Sequence, residues 1–172
     1  MRVFNKVSPT VWQSTRFQGL PSDDGRLLFL YLLTCPHNNS AGCFWLPVGY
    51  ACYDLGWEQD RYSAALRSLI DAEMVDHDPG NHVVLIERWF RHNPSMNKSH
   101  YKGILSQLDK VPSDRLCAKA YDALEAAEKG TDTRKTDGNS QPPDKPGARP
   151  ESSVGVTEAL MNTPYMAGQR RQ

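Results

Sequence analysis

The chain has 172 residues, enough for one ordinary domain with extensions, and its 20 basic and 20 acidic residues cancel to a formal net charge of zero. That balance removes any general electrostatic pull toward nucleic acid, so such affinity has to come from local clustering of cations. The longest apolar run, residues 27–33, is far shorter than the roughly 20 residues needed to cross a bilayer, and the opening Met1-Arg2-Val3-Phe4-Asn5-Lys6 lacks the long apolar core of a secretory signal; a cytoplasmic protein without membrane contact is expected.

Residues 3–20 carry Phe4, Val7, Val11, Trp12 and Phe17 between polar residues. They read as a short strand or extended arm and a turn, with Trp12 and Phe17 against the core. Ser22 has the character of an N-cap, with Asp23 and Asp24 at the positive end of a helix dipole. The helix that follows, to about residue 34, is apolar almost all round past Arg26, as expected of a central core helix. Residues 35–42 form a loop by their turn residues, and residues 43–46 a small strand.

Residues 47–86 are the most informative stretch. Val48, Ala51, Cys52 and Leu55 fall at i, i+3, i+4 and i+7, the spacing of one apolar helix face. Pro47 suits the first helical position, and Gly56 allows a sharp turn. A second apolar face follows at Tyr62, Leu66, Leu69 and Ile70, on a helix spanning residues 58–73. Met74-Val75 and Val83-Val84-Leu85-Ile86 read as two strands joined by a polar turn over residues 76–81. Helix, turn, helix and β-ribbon are the parts of a winged helix-turn-helix, which docks its second helix in a DNA groove.

Beyond the ribbon, Tyr101, Ile104, Leu105 and Leu108 have helical spacing. So do Leu116, Cys117, Ala120, Tyr121 and Leu124, with Ser113 as a cap and Gly130 as a stop. From Gly130 onward Ile, Leu and Phe almost vanish, and Pro142, Pro143, Pro146 and Pro150 punctuate the chain. Such a segment cannot bury enough apolar surface to offset its ordering entropy. One island, residues 154–161, is apolar enough to form a short helix on a partner. The expected class is therefore mainly α with a small antiparallel β-sheet. The expected organisation is a winged helix-turn-helix domain (residues 1–102), a helical extension (103–129) and a disordered tail (130–172).

Catalytic and metal chemistry find little support. No Gly-rich phosphate loop ending in Lys-Ser or Lys-Thr occurs, and no nucleophile is ordered against an acid and a histidine. Cys35, Cys43, Cys52 and Cys117 read as reduced thiols in a core. The alternative, a metal site from Cys35, His37 and Cys43, lacks a Cys-x-x-Cys pair. No enzyme, cofactor or metal is expected.

On the second helix of the motif, burying Tyr62, Leu66 and Leu69 turns Asp60, Arg61, Ala64, Arg67, Ser68 and Asp71 outward. Arg61 and Arg67 could then reach phosphate or a guanine edge, and Gln59 could read adenine. Asp60 and Asp71 oppose this, and Arg67 and Asp71 are spaced to pair with each other. Asp76 and Asp78 make the ribbon acidic. The stronger cationic segment lies downstream, where Arg88, Arg91, His92, Lys98, His100 and Lys102 occur with no acid over residues 88–102. Trp89, Phe90 and Tyr101 are interleaved with them, a pattern that suits backbone neutralisation plus base stacking, although Trp89 and Phe90 end a strand and fit a core.

Several phrases occur in a characteristic order: Arg26-Leu27-Leu28-Phe29-Leu30-Tyr31-Leu32-Leu33-Thr34, Gly42-Cys43-Phe44-Trp45-Leu46-Pro47, Leu55-Gly56-Trp57, Ala65-Leu66 with Leu69, Met74-Val75, and Arg88-Trp89-Phe90-Arg91-His92-Asn93-Pro94. Together they resemble phage and prophage replication-initiation proteins with an N-terminal winged helix, of the replisome-organiser and helicase-loader type. The resemblance covers about residues 3–102. It implies origin or single-strand DNA binding by the winged part and recruitment of a replicative helicase or its loader by the C-terminal part. At the end of the second helix, where such domains often have Gly, this chain has Glu73. A winged-helix interaction adaptor that does not touch DNA, and a transcriptional regulator binding a palindrome as a homodimer through the later helices, are the alternatives.

Overall fold

The computed structural model describes residues 5–136, with side chains described to residue 129. Residues 3–20 were expected to form a short strand or extended arm and a turn; no strand forms in the described part, where residues 5–8 have no regular structure and a 3-10 turn at Pro9–Gln13 and a single turn α1 at Thr15–Gln18 follow. Serine capping decides this. Ser8 Oγ accepts from the Thr10 amide, Pro9 opens the turn with its fixed φ, and Ser14 Oγ accepts from the Phe17 amide. Phe17 is buried as expected, whereas Trp12 is 60% exposed and meets Phe17 edge-on.

Helix α2 (Asp23–Thr34) starts at Ser22, whose Oγ accepts from the Gly25 amide. It is not buried all round: Leu28 and Leu32 lie in the core, while Leu27 is 47% exposed. Strand β1 (Cys43–Trp45) leads into α3 (Val48–Leu55), a turn, and α4 (Gln59–Asp71). Pro47 is extended (ψ 140°) and stands as the N-cap of α3, one residue before the expected position, while Gly56 ends α3 in the left-handed region at φ 65°. Helix α4 buries Tyr62, Ala65, Leu66 and Leu69. Ile70, expected on this face, is exposed.

After α4 the chain reverses at Glu73, whose φ is 50°. The departure from glycine noted in the sequence thus falls on a left-handed residue. Arg16 braces it, donating to the Glu73 carbonyl at 2.6 Å and to its carboxylate at 3.2 Å.

Strands β2 (Val75–Asp78) and β3 (Val83–Ile86) form the ribbon, and the sheet is antiparallel in the order β1-β3-β2. Short helix α5 (Trp89–His92), α6 (Lys98–Leu108) and α7 (Asp114–Thr136) complete the described chain. The register pairs Leu85 with both Cys43 and Asp76, and Val83 with both Trp45 and Asp78, so these six residues share one sheet face. Helix α7 lies against that face. Arg115 donates to both Asp76 carboxylate oxygens at 2.9 and 3.0 Å, Lys119 to Asp76 at 2.8 Å, and Ser113 to Asp78 at 2.6 Å. This explains why β2 extends through Asp76 and Asp78, which were expected in the turn: their carboxylates have partners on α7 and in Ser113 just before it.

Ile104, Leu108, Leu116, Ala120 and Leu124 belong to the same buried cluster as Leu28, Tyr62 and Val84. The expected division at Lys102 falls inside α6. The fold is mainly helical with a small three-stranded antiparallel sheet, a winged helix-turn-helix followed by the short α5 and the longer α6 and α7. Helix α7 also runs through Gly130, its expected stop, to Thr136; one glycine inside a helix costs only about 1 kcal/mol. The remainder of the expected tail, residues 137–172 with the apolar island at 154–161, lies outside the described residues. Among the described residues no helix is long and apolar enough to cross a membrane.

Candidate nucleic-acid interface

The outward side of α4 offers fewer free cations than its sequence promised. Arg61 is bound within the molecule: its Nε and Nη2 donate to the two Asp24 carboxylate oxygens at 2.9 and 2.6 Å, and its guanidinium lies 4.4 Å from the centre of the Trp57 ring. That fork and stack tie the start of α4 to the start of α2. The hydrogen bond from Arg61 holds the Asp24 carboxyl below the usual carboxylate range. Ser68, expected outward, is half-buried; its Oγ donates to the Ala65 carbonyl at 2.7 Å, and a Cβ on Gly25 would approach it to 2.8 Å. It is a packing residue at the crossing of α2 and α4. Gln59 and Arg67 are exposed. The expected Arg67–Asp71 pair is not formed, and Arg67 has no ion pair among the described residues. Asp60 and Asp71 remain exposed on the same helix.

The ribbon is clamped to α7. Burial alone would push the Asp76 carboxyl up, but hydrogen bonds and charge from Arg115 and Lys119 outweigh it and hold the group at about 2. Asp78 is held at about 2 by the Asn81 side chain, then by Ser113 and the Gly80 and Asn81 amides. Both values lie below the ordinary 3.8, so the unfolded chain takes up these protons first as the pH falls. The stability they contribute is complete above about pH 4 and is lost toward pH 2. The melting temperature is expected to drop across that window, and to drop less steeply in Asp76→Asn, which has no proton to gain at that site. Parallel pH–melting curves for the two proteins, followed by circular dichroism, would refute this clamp.

The segment after the ribbon behaves differently. Arg88, Arg91, His92, Lys98 and Lys102 are all exposed, and none is in an ion pair among the described residues. Arg88 sits in the left-handed region (φ 57°) at the start of α5, with Arg91 and His92 one turn further on. Lys98 and Lys102 are four residues apart on α6, on one face. His100 is half-buried and accepts the Met96 amide on Nδ1 at 3.2 Å, while Asn97 caps α6 by accepting from the His100 amide at 2.8 Å. Trp89 and Phe90 are core residues, Trp89 donating from Nε1 to the Ser40 carbonyl at 2.9 Å; they offer no open stacking face. One acid enters from a distance, since Glu128 of α7 bonds Ser95.

Tertiary structure adds a cation the sequence did not single out. Lys6 lines the same groove as Arg88 and Arg91, and no local pattern links residue 6 to residues 88–91. By contrast Arg16, Arg26, Arg61, Arg115, Lys119 and Lys129 are each paired with an acid.

Burial pushes the Cys43 thiol up to about 12, and likewise raises Cys35. Both are buried, and the four cysteines are free thiols. His37 stacks on Tyr50 at 5.3 Å between ring centres. Among the described residues no group of three or more His, Cys, Asp or Glu side chains could hold a metal ion. Compared with protein-family models, with curated proteins and with solved structures, the chain matches none.

Proposed function

We propose that the protein binds DNA through the cations that follow its ribbon, as a non-enzymatic, cytoplasmic component of phage-type DNA replication initiation. The observation that carries the reading is the sorting of positive charge. Arg26 on α2, Arg61 on α4 and Arg115, Lys119 and Lys129 on α7 are tied to acids within the fold; Arg67 and Lys110 stand alone, whereas Lys6, Arg88, Arg91, Lys98 and Lys102 form the larger set that is exposed and unpaired among the described residues. A protein of zero net charge can attract phosphates only where such charge is left over locally. Contacts of this kind position the protein on the backbone and carry no sequence information. Gln59 and Arg67 are the side chains on α4 available to base edges. The replication role, and recruitment of a helicase or its loader, rest on the resemblance to replisome-organiser and helicase-loader proteins.

A salt series of duplex affinity tests the reading. Arg91→Ala combined with Lys98→Ala is expected to weaken binding to all sequences alike, and to reduce the slope of log affinity on log salt by about 2, close to one unit per lost phosphate contact. An unchanged slope would clear this segment of the role. No binding at low salt would remove the reading itself.

An interaction adaptor that leaves DNA alone is the second reading. It is favoured by the locking of Arg61 to Asp24 and of the ribbon to α7, the two parts a winged helix ordinarily presents to DNA.

A further inference from the structure

Between the N-terminal turn, α2 and α5 lies a groove of about 570 Å³, inside the range of roughly 300–1,000 Å³ typical of ligand pockets. Its floor is apolar, built from Val11, Phe29, Leu33, Met74 and Ile86. Its charged lining contains Lys6, Arg16, Arg88 and Arg91 against Glu73 and Glu87. Both acids are already engaged inside the fold, Glu73 by Arg16 and Glu87 by Lys119. Lys6, Arg88 and Arg91 are left around an apolar floor with no ion-pair partner among the described residues.

Several polar groups of the lining are engaged as well, while His92 at its edge is exposed and in no ion pair among the described residues. The Ser8 and Thr10 hydroxyls bond each other at 2.8 Å, Ser14 Oγ accepts the Phe17 amide, and Asn93 Nδ2 donates to the Trp89 carbonyl at 3.3 Å. A nucleic-acid backbone would match the rim but leave the floor unfilled. An unpaired base would set its polar edge against a floor of aliphatic and aromatic side chains, where a buried polar group without partners is unfavourable. Carboxylates suit the forked donors of Arg88 and Arg91, and aliphatic or aromatic side chains gain from leaving water for the floor.

We infer that this groove is a docking site for an acidic amphipathic segment of a partner protein, its apolar side chains entering the floor and its carboxylates meeting Lys6, Arg88 and Arg91. The inference goes beyond DNA binding and does not depend on it; it draws on three of the same cations, so a docked segment and DNA phosphates would compete for Lys6, Arg88 and Arg91.

The test uses the full chain and fluorescein-labelled peptides of equal length, read by anisotropy without DNA. A peptide alternating Asp and Leu is expected to bind, one alternating Asp and Ser at least about tenfold more weakly, and one alternating Lys and Leu not at all. Lys6→Glu combined with Arg91→Glu is expected to invert the charge preference, so that the Lys-Leu peptide binds and the Asp-Leu peptide does not. Leu33→Asp is expected to abolish binding of the Asp-Leu peptide. Circular dichroism verifies folding, and the charge-reversal pair on the exposed rim keeps the test decisive if Leu33→Asp unfolds the protein. Equal binding of the Asp-Ser peptide, or Asp-Leu binding that survives charge reversal, would overturn the inference. So would oligothymidylate occupying the groove, seen as loss of its affinity in Leu33→Asp, with no peptide bound. Because DNA is absent from the peptide measurement, a failure here leaves the salt-series result untouched, and the reverse also holds.

Discussion

Gly42→Ala is expected to lower stability by about 3 kcal/mol, combining the roughly 1–2 kcal/mol of a left-handed non-glycine residue with the roughly 1–3 kcal/mol of an overpacked core. Gly42 has φ 64°, and a Cβ there would stand 2.3 Å from Trp89 Cγ and 2.5 Å from Cδ2. Neither side can retreat easily. The Trp89 ring is fixed by its Nε1 bond to the Ser40 carbonyl at 2.9 Å, and the Gly42 carbonyl accepts the Ile86 amide at 2.8 Å. Gly56→Ala is the internal control: φ is 65° there too, but nothing lies within 4 Å of the added carbon. Its loss should stay near the backbone contribution alone, about 1 kcal/mol. Urea denaturation of both variants separates strain from steric conflict. Equal losses would show that the Trp89 contact is not restrictive. Because Trp89 opens α5, which carries Arg91, the folded fraction of Gly42→Ala should also bind DNA more weakly on the proposed reading.

The winged part was legible because its signals are local. Ser22 caps α2, Gly56 stops α3, and the i, i+4, i+7 spacing of Tyr62, Leu66 and Leu69 marks the buried side of α4. Helical spacing gives a face but not the place where a neighbouring helix crosses it. Ser68 therefore looked solvent-facing although Gly25, lacking a side chain, lets α2 come down on it. Ile70 looked buried although it stands just past that crossing, and Leu27 is open on the far side of α2. The candidate interface depended still more on distant partners. An arginine on an outward helix position looks the same in sequence whether or not a carboxylate waits for it, and Asp24 lies 37 residues before Arg61. Lys6 likewise reaches Arg88 and Arg91 only through the fold. The absence of acids over residues 88–102 was the one electrostatic signal that local sequence could carry, and that segment holds unpaired cations.

Leu116→Ala should decide whether the two later helices are an appendage or part of the winged fold. Leu116 is fully buried on α7, where truncating a leucine costs roughly 2–5 kcal/mol, a large share of the 5–15 kcal/mol that holds a typical domain together. An appendage would fray by itself, leaving hydrogen exchange in β3 as slow as in the wild type. The packing argues for a shared loss. Helix α7 lies against the face that carries Cys43, Val83 and Leu85, all buried, and β3 is the central strand, buried along its whole length. Arg115 and Lys119 fasten α7 to Asp76 of β2, and Lys119 also reaches Glu87 just after β3. Loosening α7 thus exposes the apolar sheet face and releases two carboxylates from their partners in the same event. Faster exchange at the β3 amides, in step with those of α7, is the expected result. Protection retained in β3 while α7 opens would restore residue 102 as a boundary. With the shared loss, the surface bearing Arg88, Arg91, Lys98 and Lys102 is held by contacts on both sides of it in the chain, which is why no cut through α6 should preserve it.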